Sequence, residues 1–142
     1  MRPVLSLVAF VGLLGLAGTF VGCTPEGDCI GNGEHKTLRA LLGFGPNDRL
    51  DEASVRAALE AKFPVGTPYA TVLAALPPSE PRPNALTSWD SWAVHAEPGS
   101  ISIWSGGPPC SIQSFDCGFG AGFEFSNDKL GSIILTEGCI SL

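Results

Sequence analysis

The side chains with most chemistry to offer in this 142-residue chain are five thiols and two imidazoles: Cys23, Cys29, Cys110, Cys117, Cys139, His35 and His95. Thiolates and imidazoles hold zinc when closely spaced, usually as Cys-x-x-Cys. That spacing does not occur and neither histidine lies near a cysteine pair, so no metal is expected. Hydrolytic chemistry needs a nucleophile, a base and a site for developing charge. Gly-x-Ser-x-Gly, His-Glu-x-x-His and phosphate-loop patterns are all missing. His95, between Val94 and Ala96, is the candidate base, with Asp90 to orient it. Its plainer reading is a half-exposed strand histidine, and His35 is expected to be solvated. The chain therefore reads as non-enzymatic and without a cofactor.

Cys23 stands apart because of what precedes it. Met1-Arg2 is a short basic start, and the run from Val4 to Phe20 carries no charge. Its length and composition are those of an export signal. The run from Pro3 to Thr24 is also about long enough to cross a bilayer, but Gly12, Gly15, Ala17 and Gly18 suit cleavage better than permanent insertion. It ends Phe20-Val21-Gly22-Cys23, which resembles the lipobox of bacterial prolipoproteins, departing from it at Phe20, where Leu is usual. That resemblance implies cleavage after Gly22 and lipid on Cys23, giving a membrane partner that three acyl chains hold almost irreversibly. Among such proteins an Asp after the Cys favours the inner membrane; Thr24 implies the outer membrane, facing the periplasm. The alternative is an ordinary secretory signal with Cys23 in a disulfide.

Removing 22 of 142 residues leaves 120, enough for one domain with a core. Arg2 leaves with the signal, so 7 basic residues face 14 acidic ones, a net −7. An acidic domain with scattered Lys and Arg is a poor phosphate-backbone binder, so nucleic acid is not an expected partner. Setting Cys23 aside leaves four thiols, an even number, as two disulfides would need in an oxidising compartment. Phe123 to Leu135 reads as a hairpin turning at Asn127-Asp128. A two-residue turn there pairs positions summing to 255 and Cys117 with Cys139 sums to 256, so a bulge within the glycine-rich residues 118–122 would bring them opposite. Cys29 and Cys110 are then left to each other.

These groups need elements to position them. A short helix is expected over residues 34–42, stopped by Gly43. A second begins at Asp51, an N-cap, with Leu50 and Val55 as a hydrophobic staple and Pro64 after its end. A third is expected to be capped by Thr67 with Pro68 at its first position, burying Tyr69, Val72, Leu73 and Leu76. Beyond a proline-rich connector the period alternates: residues 91–96, 100–104 and both hairpin arms read as strands. Residues 105–122 read as a long loop. The economical architecture is α+β: two short helices on one face of a 3–4-stranded antiparallel sheet, disulfide-stapled. Trp92 is expected in the core, while Trp89 and Trp104, at a strand end or on the outer face, are candidate partner anchors.

Phe63-Pro64-Val65-Gly66-Thr67-Pro68 with Val72 and Leu76, then Phe123-Glu124-Phe125-Ser126-Asn127-Asp128-Lys129-Leu130 with Ile133, resemble the BamE/SmpA-like small outer-membrane lipoproteins. Their fold is similar to the β-lactamase-inhibitor-protein repeat. The resemblance covers residues 50–135 and divides the chain into signal (1–22), lipidated tether with a short helix (23–49) and α+β domain (50–142). It implies a lipid-anchored interaction module docking on an envelope protein, an accessory to envelope assembly. The chain departs from that family in its disulfides and long Cys-bearing loop, and the amino-terminal interaction segment of the assembly factors has no match. The alternative is a small periplasmic enzyme or ligand-binding domain using residues 105–122 with His95.

Overall fold

The structure, a computed structural model, describes residues 33–80, 90–107 and 114–141. Among these, three helices precede four strands: α1 (Lys36–Leu42), α2 (Glu52–Lys62), α3 (Tyr69–Ala75), β1 (Ser91–Glu97), β2 (Ser100–Gly107), β3 (Ser114–Ser126) and β4 (Lys129–Ser141). The sheet is antiparallel in the order β1-β2-β3-β4. The α+β class and four-stranded sheet agree with the sequence pattern.

Local rules explain the helix boundaries. His35 sits at the N-cap of α1 in left-handed backbone (φ 41°), which keeps Glu34 and His35 out of the expected helix. Gly43 (φ 77°) ends it, where a side chain would be strained. The Asp51 carboxylate accepts from the Ser54 N–H at 2.7 Å while Ser54 Oγ accepts from the Asp51 N–H, a reciprocal cap. That Ser54 N–H holds the Asp51 carboxyl below the usual carboxylate range. The expected cap of α3 is not formed. Pro68 takes the N-cap position, and the Thr67 hydroxyl donates back to the Pro64 carbonyl at 2.6 Å, closing the α2–α3 turn.

Leu38, Leu41, Leu50, Val55, Leu59, Phe63, Val72 and Leu76 share one core with Trp92, Ile101, Ile103, Phe119, Ala121, Phe123 and Leu135. Each fully buried aliphatic or aromatic side chain contributes about 1.5–3 kcal/mol of transfer free energy. Phe63 meets Phe123 edge to face, centroids 5.6 Å apart. Leu73 departs from its expected stripe and is partly exposed.

Two expectations about the hairpin are corrected. Residues 105–122 are not a loop throughout: Ser105–Gly107 continue β2 and residues 114–122 belong to β3. Glycine spacing suggests a loop, but Gly107, Gly118 and Gly120 fill strand positions where a larger side chain would meet a neighbour. The bulge lies beside the turn, where Phe125 pairs Leu130 and Glu124 pairs Ser132, not within residues 118–122. Gly131 is the extra residue that shifts the pairing sum from 255 to 256. Asn127 and Asp128 both have positive φ (51° and 61°), as a two-residue turn matching strand twist requires.

Candidate functional site

Cys117 and Cys139 lie directly opposite on β3 and β4, Cα atoms 3.9 Å apart, and form a disulfide. The single-residue register shift at Gly131 makes that pairing geometrically available. Replacing both cysteines with serine is expected to lower stability by about 2–4 kcal/mol, read from urea unfolding. An unchanged midpoint would show that strand pairing alone fixes this register. Cys23, Cys29, Cys110 and Trp89 lie outside the described residues.

His95 and Asp90 do not form the expected dyad. His95 is exposed on β1, and its Nε2 meets Glu97 Oε1 at 2.9 Å. One residue apart from a shared neighbour on a strand, the two side chains point to the same face and can bridge. Asp90 accepts from the backbone N–H of Lys36 at 3.2 Å. Burial pushes its carboxyl above the ordinary value, against that N–H and the nearby His35 and Lys36, which favour the ionised form.

The imidazole that matters structurally is His35, and its expected solvation is wrong. It is 0 % exposed, held where α1 meets the sheet. Its Nδ1 lies 2.9 Å from Ser105 Oγ, and Phe119 packs edge-on against the ring at 5.4 Å. Gly107 completes the slot: a Cβ there would come within 3.2 Å of the ring. Sequence gave no hint, because the burial follows from the left-handed turn at His35 and from β2 running on to Gly107. A hydroxyl paired with an imidazole is a component of nucleophilic catalysis. Ser105, however, is only 1 % exposed, so the hydroxyl meets no solvent-borne substrate in this conformation. The group acts as a polar clasp that satisfies buried donors and acceptors.

Trp92 is buried and donates from its indole N–H to the Pro77 carbonyl at 3.0 Å. Trp104 projects from the opposite side of β2 to Ile101 and Ile103, half-buried. Ala93, Trp104, Gly120 and Thr136 form one row across the sheet. A Cβ on Gly120 would lie 3.2 Å from Trp104 Cε3 and 2.8 Å from Thr136 Oγ1, so the indole rests across a bare backbone. Within that row the indole lies among small residues, and the next row on the same face carries His95 and the exposed Ile134.

Among the described residues no three His, Cys, Asp or Glu side chains gather as a metal site would require. No helix among them is long and apolar enough to cross a membrane. The chain is of a definable class, a disulfide-tied α+β domain whose four strands follow one another as a meander. No protein-family model, curated protein or solved structure matches it.

Proposed function

We propose that this chain is an exported lipoprotein, held by lipid on Cys23 at the outer membrane, whose folded part docks on another envelope protein and assists assembly there. The observation that carries the reading is Phe20-Val21-Gly22-Cys23 at the end of a charge-free segment. The Cys117–Cys139 bond adds support, since disulfides persist in oxidising compartments such as the periplasm. The helix–helix–sheet order is the one expected of a BamE-like or β-lactamase-inhibitor-like module. The half-buried Trp104 on the outer sheet face is a candidate anchor. The enzymatic alternative rested on His95 and residues 105–122. His95 bonds to Glu97 and both ends of that segment are strand, which favours docking.

The test is metabolic labelling with an alkyne fatty acid in a Gram-negative host, wild type against Cys23→Ala. The wild type is expected to take label and sediment with outer membranes, and the variant to lose both. Equal label in the two would end the lipoprotein reading.

A further inference from the structure

The two hairpin turns lie together at one end of the sheet. Phe125 N–H donates to the Gly99 carbonyl at 2.9 Å, tying the β3–β4 hairpin to the β1–β2 turn. Tyr69 N–H donates to the Asp128 carbonyl at 3.1 Å, bringing the start of α3 to the same place. Between them opens a groove of about 530 Å³, within the range of ligand-binding clefts.

Its lining has a definite character. Tyr69 and Phe125, centroids 4.9 Å apart and edge to face, make an aromatic wall, and Pro98 adds apolar surface. Glu97 and Asp128 supply the charge, Asn127 an amide, and among the described residues no basic one lines the groove. His95 holds Glu97 through Oε1, which orients the carboxylate.

We propose that this groove receives an arginine side chain from an extended segment of the docked partner; the proposal rests on the docking reading above. Charge complementarity selects a cation, since two acidic residues share the lining with an aromatic pair on a chain of net charge −6. A planar guanidinium stacks on aromatic faces and donates to carboxylates at its edge, whereas a lysine ammonium is a strongly hydrated point charge. Glu97 and Asp128 are acceptors for its N–H groups, and Tyr69 and Phe125 are the stacking surface.

The experiment titrates the ¹⁵N-labelled full chain with acetyl-Gly-Arg-Gly-amide and with its citrulline analogue, a neutral isostere. The arginine peptide is expected to shift the amides of Gly99, Phe125, Asn127 and Asp128, with the citrulline peptide at least about tenfold weaker. Glu97→Gln with Asp128→Asn is expected to remove that discrimination, whereas Tyr69→Phe, which keeps the ring, preserves it. Absent shifts, shifts elsewhere, equal response to citrulline, or arginine binding unaffected by the double substitution would each overturn the proposal. Crosslinking of the full chain in envelopes tests the docking reading separately. A recovered partner with a blank titration sinks the groove alone, and a positive titration without a partner sinks docking alone.

Discussion

Gly118→Ala is expected to cost the domain about 3 kcal/mol, the upper end of what overpacking a tight site costs, whereas Gly122→Ala four residues along the same strand is expected to be nearly neutral. Both positions lie on β3, and their partners are Gly106 and Ser102 on β2. They differ in what a methyl group would meet. At Gly118 it would collide with the Ser105 carbonyl oxygen and fall 2.9 Å from the Gly106 Cα. Those are backbone atoms of a buried strand, which cannot swing aside as a side chain can. At Gly122 there is open space within 4 Å. Urea unfolding of the two variants decides the matter, with the slope checked to confirm that surface exposure is unchanged. Equal losses would mean that β2 and β3 separate readily at Ser105. The Ser105–His35 clasp shares that backbone, so the damage is expected to spread to the α1 contact.

Arg39→Met is the second large effect, expected at about 3 kcal/mol, with Arg39→Lys recovering less than half of it. Arg39 is 8 % exposed, on α1 beside Leu38. Its guanidinium donates to four backbone carbonyls: Glu34 from Nε at 2.9 Å, Gly45 and Asp48 from Nη1 at 2.7 Å each, and Gly33 from Nη2 at 3.5 Å. Charge-assisted hydrogen bonds contribute about 1.5–3 kcal/mol, and orphaned acceptors add their own cost. One fork thus ties the segment before α1 to the loop after it. Methionine keeps the apolar stem and loses every donor. Lysine keeps the charge, but its single nitrogen cannot span carbonyls arranged around a planar group. Thermal and urea unfolding of both variants checks the ranking. A lysine variant as stable as wild type would show that charge alone suffices.

How far the fold could be read from sequence follows from the range of each interaction. Asp51 with Ser54, the stop at Pro64 and the turn at Asn127-Asp128 are decided within four residues, so their signatures are local. The Cys117–Cys139 pairing was within reach because a hairpin converts sequence distance into register by simple addition. The bulge that completes the sum was misplaced because several glycines competed and only one, Gly131, adjoins the turn. Helical spacing puts Val55, Leu59 and Phe63 on one face, and alternation puts Ile101 and Ile103 on one face of β2; all five are buried. Two features resisted for a shared reason. The burial of His35 and the strand character of residues 114–122 depend on partners brought from far along the chain, whereas Arg39 meets carbonyls only 5 to 9 positions away. His35 is buried by Ser105, 70 positions away. A glycine-rich stretch looks like a loop until the row that needs its emptiness, Trp104 and Thr136 above Gly120, is assembled. The groove walled by Tyr69 and Phe125 escaped likewise, because its walls come from three separate parts of the chain.

The two borders of the sheet have unequal freedom to recruit another chain. Along β1, Glu80 N–H takes the Trp92 carbonyl at 3.0 Å, while the Ser79 hydroxyl accepts from Val94 N–H and donates to the Val94 carbonyl. The backbone groups that an incoming strand would use at those residues are already spent. Along β4, the Leu130 carbonyl accepts from the Gly66 N–H, and Leu130 N–H donates to the Thr67 carbonyl. Arg56 reaches the Ile133 carbonyl at 3.4 Å. The later part of β4 lies beyond these contacts. A copy adding head to tail along β1 would have to displace Ser79 and Glu80 from Val94 and Trp92. Self-pairing through the later part of β4 would be two-fold and would stop at two copies. With Thr136 and Glu137 exposed along it, that rim also carries a polar and charged deterrent to fibril growth.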